Sequence, residues 1–122
     1  MSTTQRPLPG TARSRAERLA ALLPSLREQL EAQHAFRSEQ LTKLDEERAR
    51  LESAERQQVD AALADAARWA LAEIDAALTR LTEGSYGTCD QCAGAIPLER
   101  LEVLPHTRYC PTCQQQQLLP ET

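Results

Sequence analysis

Four cysteines form the one constellation in this chain whose residue types and spacing could hold chemistry. Cys89-Asp90-Gln91-Cys92 and Cys110-Pro111-Thr112-Cys113 are two C-x2-C units separated by the seventeen residues 93–109, a spacing that reads as a zinc site. Each unit puts two thiolates on one tight turn. The spacer lets the second turn fold over the first, so that four sulfurs close a tetrahedron with Zn–S distances of about 2.3 Å. Four protein ligands leave no open coordination position, so the expected cofactor is one structural Zn2+ that stabilises the fold and activates no water.

Two nearby residues suit that role. Gly94 fits a knuckle in which backbone N–H groups point at the sulfurs and one residue takes a positive φ. Pro111 fits the first turn of a short terminal helix running through Cys113 to Leu119, whose N-terminal dipole favours thiolate charge.

The competing chemistry is a thiol redox sensor or oxidoreductase built on the same C-x2-C pairs. It needs exposed, low-pKa thiolates and a thioredoxin-like strand and helix setting, which the sequence lacks. There is no Ser, His and Asp arrangement for nucleophilic attack and no Gly-rich phosphate loop, so an enzyme is not expected. His106 lies in the spacer and could replace a cysteine as ligand, but the cysteine set is already complete, so it reads as a surface loop residue; His34 reads as an ordinary seam histidine with no partner at metal-ligand spacing.

The elements that must position the cysteines are helical. From Ser25 to Glu83 there is no Gly and no Pro, and Ala, Leu, Glu, Arg and Gln dominate, the residues that lose least on entering a helix. Two capping boxes, Ser14-x-x-Glu17 and Ser25-x-x-Glu28, flank Pro24. The proline disfavours helical geometry at Leu23 and predicts a kink or short break there. Gly84 supplies the helix stop.

One helix over residues 25–83 would be about 90 Å long and would need another chain to cover its apolar stripe. The pattern instead closes on itself. Leu63, Ala67, Ala70, Ile74, Ala77 and Leu81 form a heptad seam, and Leu19, Leu23, Leu26 and Leu30 form another. Facing residues of an antiparallel pair have position numbers with a constant sum. Leu19 with Leu81, Leu23 with Ala77, Leu26 with Ile74, Leu30 with Ala70 and Leu41 with Val59 share one sum, which centres the turn near Arg50 within residues 45–58. His34 and Arg37 interrupt the first arm.

The fold class expected is therefore all-α: a long antiparallel helical hairpin or coiled coil about 45 Å long, with a small C-terminal four-cysteine zinc finger and a short terminal helix. Residues 1–12, with Pro7, Pro9 and Gly10, read as a flexible tail, 13–83 as the hairpin and 84–119 as the finger module. Within the finger, Leu98 and Leu101 on a proline-bounded helical turn face the helix bases, Arg100 makes a structural hydrogen bond, and Tyr86, Tyr109 and Trp69 pack finger onto hairpin. The expected state is a monomer. A coiled-coil dimer, acting as a structural adaptor with the finger as a cap, is the arrangement that a dimeric mass would reveal.

The charge balance, 14 basic against 18 acidic side chains for a net −4, offers no basic block to track a phosphate backbone. Sequence-specific DNA binding is not expected. The opening MSTTQRPLPGTARSR lacks the apolar run of a signal peptide, and no stretch suits a membrane span. A cytoplasmic location follows as the expectation, and it keeps the thiols reduced for metal.

Residues from Ile74 to Gln114 resemble the DksA/TraR family of four-cysteine zinc-finger transcription regulators. The resemblance is carried by the helix end, the Tyr86-Gly87-x-Cys89 approach, Gly94, Ile96, the Arg100-Leu101 pair, Pro105 and both cysteine pairs in the family's order. It implies a partner, RNA polymerase, whose secondary channel receives the coiled-coil tip, with acidic tip residues acting near the catalytic magnesium and no contact with promoter DNA. The family's D-x-x-D-x-A tip signature falls here on Leu44, Glu47 and Ala49, so it is incomplete. Asp45, Glu46 and Glu47 are the carboxylates the resemblance assigns to the tip, with Arg48 and Arg50 beside them.

Overall fold

The computed structural model describes residues 14–50 and 52–118. It consists of α1 (Arg15–Arg48), α2 (Ala54–Glu83), α3 (Leu98–Val103) and α4 (Pro111–Leu118). The expected tail over 1–12 and the end of the terminal helix at Leu119 lie outside the described residues.

α1 begins at the predicted capping box. The Ser14 hydroxyl accepts from the Glu17 N–H at 3.1 Å, and the Ser14 N–H donates to the Glu17 carboxylate at 3.0 Å. The break expected near Leu23 is absent, because α1 runs unbroken through Pro24 for 34 residues. An exposed proline costs a helix one hydrogen bond and some crowding, about 3 kcal/mol. Leu26 and Leu30, 1% and 0% exposed, sit within two turns of it, and burying two leucines contributes about 3–6 kcal/mol. With Leu19, Leu22 and Leu23 packed on the same core before the proline, burial on both sides overrides the local preference, and the Ser25 capping box goes unused.

α1 ends at Arg48 and α2 begins at Ala54, so the chain reverses between them. The stop on α2 is as read: Gly84 takes φ +83 and its N–H donates to the Arg80 carbonyl. The tip has no Gly, Pro or Asn, and the cue to its end is Ser53, whose hydroxyl accepts from the Arg56 N–H at 3.3 Å to cap α2.

The base of the seam holds, with Leu26, Leu30, Ile74 and Ala77 buried and Leu19, Leu23 and Leu81 packed against them. Its distal half does not. Leu63 is 49% and Val59 60% exposed, and Ala64 is buried in place of Leu63. The buried stripe of α2 thus moves one residue on, about 100° around the helix, as it nears the tip. At the interruption of the first arm, the His34 Nε2 meets Asp75 Oδ1 at 3.0 Å across the arms.

The finger is built on the hairpin base and shares its core. Tyr86, Ile96, Leu98 and Leu101 bury themselves with Leu26, Leu30 and Ile74. The Arg15 guanidinium, in the first turn of α1, donates to the carbonyls of Gly87 and Ile96. Arg80 reaches the carbonyl of Thr107 at 3.3 Å. Arg108 bridges Glu73 on α2 at 2.7 Å and Asp90 beside the first cysteine at 3.4 Å. These bonds fix the angle at which the rod leaves the finger.

Candidate metal centre and hairpin tip

The first cysteine pair lies on a knuckle closed by an isolated antiparallel bridge between Thr88 and Ala95. The Ile96 N–H donates to the Gly87 carbonyl at 2.9 Å, the Cys89 N–H to the Gly94 carbonyl at 2.8 Å, and the Ala93 N–H to the Cys89 carbonyl at 2.9 Å. The Gly94 N–H points at the Cys92 sulfur at 3.4 Å, as the sequence reading asked. The positive φ falls one residue earlier, on Ala93 at +62. Gly94 is small for another reason: a Cβ there would lie 3.3 Å from the Cys92 sulfur.

The second pair straddles the start of α4. Pro111 is the first helical residue, and the Cys113 N–H points at the Cys110 sulfur at 3.5 Å. The Asp90 N–H donates to the Arg108 carbonyl at 2.8 Å, which joins the two knuckles.

This arrangement brings the sulfurs of Cys89, Cys92, Cys110 and Cys113 within 4.8 Å of one another, with Cys92 and Cys110 at 3.9 Å. A regular tetrahedron with Zn–S bonds of about 2.3 Å has sulfur–sulfur edges of about 3.8 Å. The donor set and its spacing therefore suit one structural zinc ion. Among the described residues these four are the one His, Cys, Asp and Glu group close enough to hold a metal.

The thiols differ in environment. Burial alone would raise the Cys89 pKa, but the N–H groups of Cys110, Cys92 and Gln91 outweigh it and hold that thiol down at about 6. Burial, with hydrogen bonds from the neighbouring thiols, pushes Cys113 up to about 12. Without a cation the cluster holds protons that metal binding must release.

Around the site, Tyr86 is buried and donates its hydroxyl to the Pro105 carbonyl at 2.8 Å, burial lifting its pKa to about 12. Tyr86 and Tyr109 pack finger onto hairpin as expected. Trp69 does not, being 64% exposed on α2. His106 is half-buried rather than on the surface, and burial lowers its pKa. Arg100 makes no side-chain bond through Nε, which is buried and unpartnered.

At the other end of the rod, Asp45, Glu46 and Glu47 occupy the last turn of α1. Asp45 Oδ1 lies 3.3 Å from Arg68 of the opposite arm and 3.6 Å from Arg48. Arg68 also reaches Asp65 at 3.1 Å. Asp45 is thus a strut between the arms, while Glu46 is exposed and Glu47 lines a hollow with Arg50, Arg56 and Asp60. The role of Arg68 was not foreseen. Its position 23 residues from Asp45 is visible only once the register of the arms is known.

A helical rod anchored on a closed four-thiolate finger defines the class: a zinc-finger protein that carries a long projecting hairpin. Residues 84–117 match the family model of the prokaryotic dksA/traR C4-type zinc finger, so the chain carries a finger of the DksA/TraR family. An uncharacterised protein of Aquifex aeolicus is 46% identical over 46 residues, covering 38% of this chain and 32% of that protein. General stress protein 16O of Bacillus subtilis is 42% identical over 38 residues, covering 31% of this chain and 23% of that one. The match thus spans at most about a third of these relatives' length. The structure of transcription factor DksA2 from Pseudomonas aeruginosa superposes with a TM-score of 0.74 at 24% identity, over 87% of this chain and 90% of that one. The hairpin-and-finger fold is therefore shared along nearly the whole chain. No helix among the described residues is long and apolar enough to cross a membrane.

Proposed function

We propose that this protein is a non-enzymatic, cytoplasmic transcription regulator that binds RNA polymerase as a monomer and inserts its hairpin tip into the secondary channel. The observation that carries this reading is the combination of a DksA/TraR finger at the base with a rod whose arms are 34 and 30 residues long. At 1.5 Å per residue such arms extend about 45–50 Å. That length lets carboxylates reach a deep site through a narrow passage. There, away from bulk water, their charge acts with less screening.

Zinc, held by Cys89, Cys92, Cys110 and Cys113, keeps the rod's base rigid and takes no part in a reaction. Within the tip, Glu46 and Glu47 are the carboxylates available to a partner, because Asp45 is engaged by Arg68 and Arg48. The test is binding of the zinc-loaded protein to purified RNA polymerase with a transcription readout, beside the triple variant Asp45→Ala, Glu46→Ala, Glu47→Ala. Wild-type binding with loss of the transcription effect in the variant is expected. Absence of wild-type binding rejects the reading and favours the adaptor role.

A further inference from the structure

The apolar seam that joins the arms at the base does not continue to the tip. Beyond Leu30 no described residue of α1 is buried. The α2 residues buried on the tip side of Ile74 are Ala64 and Ala67, whose single methyl groups contribute little hydrophobic area. Polar contacts cross between the arms there: His34 with Asp75 at 3.0 Å, and Asp45 with Arg68 at 3.3 Å. The second of these holds the last turn of α1, next to Glu46 and Glu47.

The Arg68 guanidinium divides its nitrogens between two carboxylates. Its Nη1 donates to Asp65 Oδ1 at 3.1 Å, one turn back on α2, and its Nη2 to Asp45 Oδ1 at 3.3 Å on the other arm. Arg48 lies 3.6 Å from the same Asp45 oxygen. Arg48, Asp45, Arg68 and Asp65 therefore form one line of alternating charge across the arms. A planar guanidinium fork held at one end by Asp65 fixes the direction of its contact with Asp45 as well as its charge.

Successive residues of a helix point about 100° apart. With Asp45 held toward α2 on one flank of the seam, Glu46 is turned away from α2, and Glu47 falls on the other flank. Glu46 is accordingly exposed, and Glu47 lines the hollow with Arg56 and Asp60 of α2. We propose that Arg68 is a positioning residue for the tip: through Asp45 it fixes the rotation of the last turn of α1, and so the directions in which Glu46 and Glu47 are presented. Its effect on transcription rests on the proposed role of the tip, whereas its effect on the order of the tip does not. The Arg68 and Asp45 side chains are 48% and 47% exposed, so the link is modest in strength and sensitive to salt.

Two readouts on the zinc-loaded full chain test it. The first is amide hydrogen exchange over residues 44–48, which reports how often the last turn of α1 opens. Arg68→Gln should speed this exchange about two- to fivefold, and the wild type in about 0.5 M salt should approach the variant's rate. The second is the transcription effect with purified RNA polymerase, measured against protein concentration. Arg68→Gln should lower the maximal effect about two- to fivefold and leave the half-effect concentration unchanged. Asp45→Asn should do the same, the double variant should lose no more than either single one, and Arg68→Lys, which keeps the charge without the fork, should recover part of the loss. Lys43→Gln removes a positive charge whose partner, Glu39, lies on the same arm, and should match the wild type in both readouts. The proposal is overturned by unchanged exchange in Arg68→Gln, by losses that multiply in the double variant, by a raised half-effect concentration with the maximum intact, or by an equal effect of Lys43→Gln. If the wild type does not bind polymerase, the proposed function fails, and the exchange measurements alone uphold or overturn the positioning role.

Discussion

Replacing Gly87 by alanine tests how tightly finger and rod are fitted. Gly87 has φ +90, in the left-handed region, and a Cβ there would lie 3.1 Å from Leu19 Cδ2, 3.4 Å from Arg15 Nη2 and 3.6 Å from Leu101 Cδ1. Two costs add. An L-residue in left-handed geometry costs about 1–2 kcal/mol, and forcing a methyl against Leu19 costs about 1–2 kcal/mol more as overpacking. Gly84 supplies the control, because its φ is +83 and nothing lies within 4 Å of its would-be Cβ. Gly84→Ala therefore carries the backbone cost alone. Thermal unfolding of the zinc-loaded proteins followed by helix circular dichroism should place Gly87→Ala below Gly84→Ala, by about 4 °C for each kcal/mol of difference. Adding Leu19→Ala to Gly87→Ala should recover the crowding cost, so the pair should couple by about 1 kcal/mol in a double-mutant cycle. Equal losses at the two glycines, or no coupling with Leu19, would refute the close approach.

Chelation of zinc should unfold the region from Ser85 to Cys113 and expose the apolar surface it shares with the rod, because metal binding of about 10–16 kcal/mol is folding energy in such sites; fluorescence of an apolar dye checks this, and retention of the folded finger would contradict it. Leu30→Ala, at a position 0% exposed, should cost about 2–5 kcal/mol in urea unfolding, whereas Phe36→Ala one and a half turns away should cost under about 1 kcal/mol. Burial lowers the His106 pKa below its ordinary 6.5 in the folded chain, so between the two values the unfolded chain holds more protons. Stability from this residue is therefore present above pH 6.5 and is lost as pH falls through 6.5 toward the folded value. His106→Asn should flatten the urea midpoint between pH 7.5 and 5.5 relative to wild type, and an unchanged slope would reject the assignment.

How legible these features were follows from the range of the signal behind each. The cysteine cluster, the Ser14 box and the Gly84 stop are local: each is written in residues a few positions apart, and each is found where the spacing puts it. The base of the hairpin was legible because leucines of one arm face small or branched residues of the other in a single register. Toward the tip that register failed, since alanines at positions 61, 62, 64, 66 and 67 make the two faces of α2 nearly alike in hydrophobicity. A one-residue shift there leaves Leu63 out and Ala64 in. Pro24 does not break α1 because the leucines packed beside it outweigh its local propensity. The unpaired Arg100 Nε, the Arg68–Asp45 strut and the exposure of Trp69 depend on the angle between arms and finger, which no short stretch of sequence records.

The shared core at the base has a consequence for the order in which the chain is made. Leu26 and Leu30 are covered by Ile74, Tyr86, Ile96 and Leu101, residues that the ribosome adds much later. At about 5–20 residues per second, synthesis of the stretch from Leu30 to Leu101 takes about 4–14 s. Until α2 is complete at Glu83 the first arm has no finished partner, and until Leu101 is added Leu26 and Leu30 lack the finger side chains that complete their burial. Only when both cysteine pairs have emerged and captured their metal can the two ends of the rod be clasped together. The last-made segment therefore closes the first-made one, and a scarcity of zinc during translation would leave behind a hairpin whose base leucines lack the cover of Tyr86, Ile96 and Leu101.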